Sequence, residues 1–280
     1  MDKCNFRLFK RIVITITILI ILGAACIAYS YLIEPDRLHK TSVDVYTEKL
    51  NGDILKVALF SDIHFGDNYT VSDFEHVIDM INSESPDIIV FAGDFFDDLE
   101  TFTGDVKDLS EAMGKLSAPL GKYAVFGNHD YSGKSEFSYE KIMSAGGFLV
   151  LKNEIINLND VNLSIVAVDD CLIGYGDVEI VSYTDDTRFN LLLCHEPDVV
   201  DDIIENNYNF DLMLSGHTHG GQLRIPVLSH KFLPPLGKRY VSGMYDFDGG
   251  RQLYVTKGIG TSFLPLRFNA VPEVCFMTLQ

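Results

Sequence analysis

Hydrophobic positions fall into two regimes along this chain. Ile12 to Ile33 are 22 consecutive positions without a charged side chain, about 33 Å as a helix and enough to cross a bilayer. After a polar connector at residues 34–53, with room for a short strand at Val43–Tyr46, short apolar runs alternate with amphipathic ones. Val57 to Phe60 predicts a buried strand. Phe74, Val77, Ile78 and Ile81 recur at helical spacing behind Ser72 or Asp73 as N-cap, and Pro86 ends that helix before a strand at Ile88–Ala92. The same reading predicts a helix at about Asp105–Leu116, a strand at Tyr123–Phe126 and a short helix near Phe137–Ala145. Strands near Phe148–Leu151, Leu163–Val168 and Asn190–Cys194, a helix near Asp198–Asn206 and a strand at Leu212–Leu214 follow. Helical periodicity then stops, and strands are expected at Tyr240–Met244, Gln252–Thr256 and Val274–Leu279. The pattern is an α/β domain over residues 54–280 with a β-rich second half.

The flanks of the apolar run carry an orientation signal. Residues 1–11 form a basic tip with Lys3, Arg7, Lys10 and Arg11, against Arg37 and Lys40 just beyond the run. That bias keeps the N-terminus cytoplasmic and places the following domain outside the cytoplasm. Gly23-Ala24-Ala25 before Cys26 would suit a cleaved signal peptide, but the apolar run continues well past it, which favours an uncleaved signal anchor at residues 12–33.

Charge narrows the partners. Forty acidic against 22 basic side chains leave a net charge of −18, which excludes a nucleic-acid binder because phosphate backbones need a basic surface. A small phosphorylated substrate remains compatible if metal ions cancel the acidic field locally. The five cysteines show no CxxC spacing; buried thiols are expected, with one bridge between two of them as the alternative.

The chemistry gathers where strands are predicted to end. Val57–Phe60 runs into Ser61-Asp62-Ile63-His64. Alternate residues of an extended segment point the same way, so a strand continuing through Ile63 would aim Asp62 and His64 at one object. Four further ends carry Gly93-Asp94-Phe95-Phe96-Asp97, Gly127-Asn128-His129-Asp130, His195-Glu196-Pro197 and Gly216-His217-Thr218-His219-Gly220-Gly221. Singly, Asp94 and Asn128 read as turn residues or caps and His195 as a polar strand end. Together these ends hold five of the eight histidines, at the carboxyl ends where open α/β sheets bind ligands.

This order of motifs resembles the calcineurin-like metallophosphoesterase superfamily over about residues 54–280: D-x-H, G-D-x-x-D, G-N-H-D, a lone His and G-H-x-H. Gly258-Ile259-Gly260-Thr261-Ser262 and Pro265-Leu266-Arg267 look most like its membrane-associated bacterial branch, which includes enzymes similar to UDP-2,3-diacylglucosamine pyrophosphatases. The resemblance implies a four-layer α/β/β/α sandwich with two divalent metal ions. One would take Asp62, His64 and His219, the other Asn128, His195 and His217, with Asp94 bridging. Mixed carboxylate and imidazole donors without thiolate suit manganese first, with iron or zinc as alternatives. Two such ions can hold a bridging hydroxide for attack on phosphorus, and the resemblance gives His129 the leaving-group oxygen and Asp97 the orienting of His129.

The implied activity is hydrolysis of a phosphodiester or pyrophosphate, of a lipid-linked or nucleotide-linked substrate, by an enzyme anchored in the membrane. An extracytoplasmic domain would sit apart from the cytoplasmic pool of UDP-sugars, which favours an envelope lipid or wall precursor. A protein or small-molecule phosphomonoesterase is the alternative, although the Arg-Gly of the protein phosphatase signature is replaced by Asp98-Leu99. A non-catalytic scaffold would lack several of these residues, and none is missing. Arg224, Lys257 and Arg267 are basic residues of the β-rich half near the expected cleft, where each could grip a substrate or equally form a surface ion pair.

Overall fold

A computed structural model describes residues 3–100, 102–134, 136–225 and 232–280. The chain opens with helix α1 (Lys3–Leu32). Its segment Phe6–Leu32 is long and apolar enough to cross a membrane and buries nothing against the rest of the protein over its apolar window.

Two six-stranded sheets follow. The first holds β1 (His39–Val45), β2 (Leu55–Phe60), β3 (Ile88–Phe91), β4 (Lys122–Ala124) and β5 (Leu149–Val150), with helices α2 (Val71–Ser83), α3 (Val106–Gly114) and α4 (Glu136–Ala145) between strands. The second holds β6 (Glu154–Leu158), β7 (Leu163–Ala167), β8 (Phe189–Leu193), β9 (Leu212–Ser215), β10 (Gly243–Asp246) and β11 (Gln252–Val255), with α5 (Val200–Glu205) before β9. The last strand, β12 (Glu273–Leu279), returns to the first sheet. The strand orders are β1-β12-β2-β3-β4-β5 and β10-β11-β9-β8-β7-β6.

Strand alternation builds the layers. Val57 and Leu59 of β2 point inward, where with Ile88 and Val90 they meet Ile165, Leu191 and Leu212 of the second sheet. Ala58 and Phe60 point outward and are covered by Phe74, Val77 and Ile81 of α2, with Leu109 and Met113 of α3 alongside. Val166, Leu192 and Met213 leave the second sheet on its other face and pack on Val200 and Ile203 of α5. The result is the expected α/β/β/α sandwich, with strands buried on both sides reading as continuous apolar runs.

Several local expectations are corrected. The cap of α2 is Thr70, not Ser72 or Asp73, because the Asp73 carboxylate accepts the Thr70 N–H at 2.8 Å. β10 begins at Gly243 rather than Tyr240, since the Asp198 carboxylate gathers the N–H groups of Lys238, Arg239 and Tyr240 into a turn. β6 was not expected: Glu-Ile-Ile-Asn-Leu lies half exposed at a sheet edge, where no alternation is imposed. Cys171, Cys194 and Cys275 are free, the last two buried.

Candidate metal centre

β2, β3 and β4 are parallel, as are β7, β8, β9 and β11. Their carboxyl ends therefore deliver the polar loops to one rim of the sandwich. The expectation of a strand continuing through Ile63 is corrected there. β2 ends at Phe60, and Asp62 and His64 both adopt the left-handed region at φ 51°. Asp94 (φ 60°), His217 (φ 71°) and His219 (φ 51°) do the same. Each such residue costs about 1–3 kcal/mol of backbone strain and persists only where its surroundings hold it. Here Asp62 N–H donates to Gly93 O at 2.8 Å and His217 N–H to Asp62 Oδ1 at 3.0 Å.

The bent loops make two clusters that meet at one carboxylate. Asp62, His64 and His219 hold ligand-capable atoms within 4.8 Å of one another, as do Asp94, His195 and His217. Asp94 Oδ2 lies 3.6 Å from His64 Nε2 and 3.1 Å from His195 Nε2. Its Oδ1 accepts the His129 N–H at 2.9 Å. Asn128 lines the same cleft, and its buried Oδ1 has no hydrogen-bond partner.

Hydrogen bonds set the imidazole tautomers. His195 Nδ1 is 2.6 Å from Ala92 O, and a carbonyl only accepts, so Nδ1 carries a hydrogen and Nε2 is the nitrogen turned toward Asp94. That Nε2 is fully buried, with Asp94 Oδ2 as its neighbour at 3.1 Å. His217 is anchored the other way round, Nε2 to Pro235 O at 2.8 Å, which exposes Nδ1. Burial, then the neighbouring His195, pushes His217 down to about 4. Burial, then His64 and Arg267, holds His219 well below the ordinary histidine value. Both rings are thereby kept neutral, the form that ligates metal. Burial opposes the charge on Asp94, yet the flanking His195, His129 and His64 hold it well below the usual carboxylate range.

His129 stands at the edge of the clusters, its ring 4.6 Å from that of His64 and perpendicular to it. Its Nδ1 bonds the main-chain carbonyl of Asp97 at 2.8 Å. The contact from Asp97 to the His129 ring is thus its main-chain carbonyl. The Asp97 carboxylate faces His64 instead, Oδ1 to Nδ1 at 3.6 Å. Burial lowers the His129 pKa, but Asp94 and the Asp97 carbonyl outweigh it and leave the ring above its ordinary value.

Asp130 matters more than its place in a motif suggested. It is fully buried, and its carboxylate accepts the N–H groups of Asp94 at 2.9 Å, Phe95 at 2.8 Å and Gly127 at 2.9 Å. One side chain thus ties the β3 loop to the β4 loop. Burial and the nearby Asp94 raise it to about 7.

The three late basic residues are engaged with the protein itself. Arg267 is fully buried and donates to Gly260 O (2.9 Å), Lys257 O (2.9 Å) and Ala270 O (2.8 Å), with Nη2 3.5 Å from His219 Nδ1. Lys257 pairs with buried Glu273 at 2.6 Å, and Arg224 bonds Ser242. None of the three lines the cleft.

Two buried carboxylates, an amide oxygen and four imidazoles converging on adjoining points make a donor set for hard or borderline divalent cations. A model of the calcineurin-like phosphoesterase family matches residues 55–221. The chain belongs to this family. This calcineurin-like phosphoesterase is 38% identical over 258 residues to the uncharacterized metallophosphoesterase YkuE of Bacillus subtilis, covering 90% of this chain and 89% of that protein. It is 32% identical over 237 residues to the phosphodiesterase YaeI of Escherichia coli, covering 82% and 84%. A transmembrane protein with a metallophosphoesterase domain from Danio rerio is 28% identical over 251 residues, covering 85% and 55%. The protein is therefore a metal-dependent phosphoester hydrolase.

Proposed function

We propose that this protein is a membrane-anchored phosphodiesterase with a dinuclear metal centre. The observation that carries the reading is Asp94 Oδ2, set between His64 Nε2 at 3.6 Å and His195 Nε2 at 3.1 Å, and so between the two donor clusters. Asp62, His64 and His219 would hold one ion, Asn128, His195 and His217 the other, with Asp94 shared. The buried Asn128 Oδ1, which has no hydrogen-bond partner, fits that assignment. The thiolate-free donor set supports manganese first, then iron or zinc. When bound, the two ions supply a nucleophilic water at neutral pH and neutralise charge on the phosphoryl group.

The rest of the chemistry falls to the chain. Oxygen from water adds to phosphorus, the P–O bond to the leaving group breaks, and the leaving oxygen takes a proton from His129 while the water's proton passes to solvent. The Asp97 carbonyl holds the Nδ1 hydrogen of His129, so the transferable proton sits on Nε2. Among the described residues no Lys or Arg lines the cleft. A diester, with one negative charge fewer than a monoester, suits that lining better.

Residues 12–33 act as the anchor, residues 1–11 as its cytoplasmic tip and residues 54–280 as the hydrolase, outside the cytoplasm by the charge bias. Full-length protein purified in detergent with manganese should hydrolyse bis-p-nitrophenyl phosphate faster than p-nitrophenyl phosphate, lose both activities on chelation and regain them with metal. Activity that survives complete metal removal would refute the reading. A C-terminal alkaline phosphatase fusion, active only outside the cytoplasm, checks the topology.

A further inference from the structure

Topology decides which end of the sandwich faces the anchor. α1 ends at Leu32 and β1 begins at His39. β1 is parallel to β12, and β12 is antiparallel to β2. The start of β1 therefore lies at the end of the sheet where β2 finishes and Asp62 and His64 follow. The metal cleft and the anchor share one end of the molecule.

Direct bonds confirm the proximity. Arg267 N–H donates to Ser30 O at 3.0 Å, and Ala270 N–H to Oε1 of the buried Glu34 at 2.6 Å. Tyr31, Leu32 and Pro35 face Thr261 and Pro265 across a shallow crevice. One loop, residues 259–270, thus runs from the exit of the anchor to the cleft. At its tip Phe263 is 93% exposed and Leu264 51% exposed, and both line the cleft. Phe263 is held at φ 59°, a region bulky side chains avoid, with its ring 6.5 Å from that of His129.

The cleft measures about 310 Å³, and beyond the metal-facing residues its wall is largely apolar, with Leu172, Phe232, Pro234 and Pro235 opposite the Phe263 loop. A sugar or nucleotide would leave these surfaces unmatched, whereas aliphatic chains would cover them. An exposed aromatic and a leucine beside the end of a membrane helix also match the composition of segments that lie in the interface.

We propose that the metal cleft opens onto the bilayer, with Phe263 and Leu264 seated at the headgroup–acyl boundary, and that its substrate is a phosphodiester lipid whose chains stay in the leaflet while its phosphate reaches the metals. The substrate half rests on the phosphodiesterase reading above; the placement half rests only on its membrane anchor.

The chain has no tryptophan, so Phe263→Trp supplies a single indole. In full-length protein reconstituted into phosphatidylcholine vesicles with brominated acyl chains, its emission should shift to the blue and be lost to quenching. Tyr46→Trp, beyond the far end of β1, should keep the emission of a water-exposed indole. A Phe263→Trp signal as unquenched as that of Tyr46→Trp would overturn the placement. In the same vesicles, kcat/KM for hexadecyl p-nitrophenyl phosphate should exceed that for ethyl p-nitrophenyl phosphate by about tenfold or more. The double variant Phe263→Ser/Leu264→Ser should collapse that ratio. Equal kcat/KM values, or a ratio untouched by the double variant, would overturn the lipid substrate. Failure to hydrolyse either ester would sink the phosphodiesterase reading and the lipid substrate with it, while quenching would still decide the placement.

Discussion

His64 Nε2 lies 3.1 Å from His219 Nε2, although 155 residues separate the two. Two imidazole nitrogens that close either share one hydrogen or aim both lone pairs at a third body. Asp62 Oδ1, 3.6 Å from His219 Nε2, and Asp94 Oδ2, 3.6 Å from His64 Nε2, frame the place a cation would take. In the dinuclear reading proposed above, the pair would serve as two ligands of one ion.

Loss of one ligand should therefore show first as loss of metal. His217→Ala is expected to lower metal content, read by elemental analysis, and hydrolysis together. Affinity should fall by at least the ~10–100-fold seen when a merely supporting residue is removed. Full metal content with normal activity would refute the assignment.

His129→Ala should separate chemistry from metal binding. Metal content should stay at the unmodified level while kcat falls by about 10²–10⁴-fold. The deficit should be smaller with a p-nitrophenol leaving group than with an alkyl alcohol, because the better leaving group needs less protonation. Equal deficits would argue against His129 as the proton donor.

Asp130→Ala removes the acceptor for three buried N–H groups. A loss of about 3 kcal/mol or more is expected, read as a Tm lower by roughly 6–12 °C, with the effect present in metal-free protein. An unchanged melting curve would show that the loops around Asp94 hold without it.

Gly93→Ala tests the close approach of the β3 and β4 loops. Gly93 has φ +93°, and a Cβ there would stand 2.6 Å from Gly127 N and 2.7 Å from His195 Nδ1. Metal binding and activity should both drop, although Gly93 offers no ligand atom. Activity within about twofold of the unmodified protein would mean that the loops can relax by more than the packing suggests.

Manganese should also stabilise the fold by mass action. Tm should climb with manganese concentration, with about 2.7 kcal/mol gained at a hundred times Kd. The gain should be missing in His217→Ala.

The sequence by itself determined the parts whose signal is local. Apolar runs reveal strands buried on both faces, such as Val57–Phe60, because nothing polar can sit on either side of them. The 3.6-residue period of Phe74, Val77, Ile78 and Ile81 exposes α2, and the uncharged stretch at 12–33 exposes a helix able to span a bilayer. The polar residues at successive strand ends were legible for the same reason, since parallel strands must deliver their carboxyl ends to one rim.

Tertiary structure alone decided how those residues meet. The left-handed turns at Asp62, His64, Asp94, His217 and His219 fall on residue types that tolerate that region, but surrounding contacts, not residue type, select them. The role of Asp130 depends on N–H groups from loops 30 residues and more apart in sequence. Arg267 looks like a substrate grip in a chain this acidic, and only burial among carbonyls shows it to be a brace behind His219. The placement of the cleft at the same end of the sheet as the exit of α1 was also beyond reach of the sequence. It follows from β12 pairing between β1 and β2, a long-range contact that no local pattern encodes.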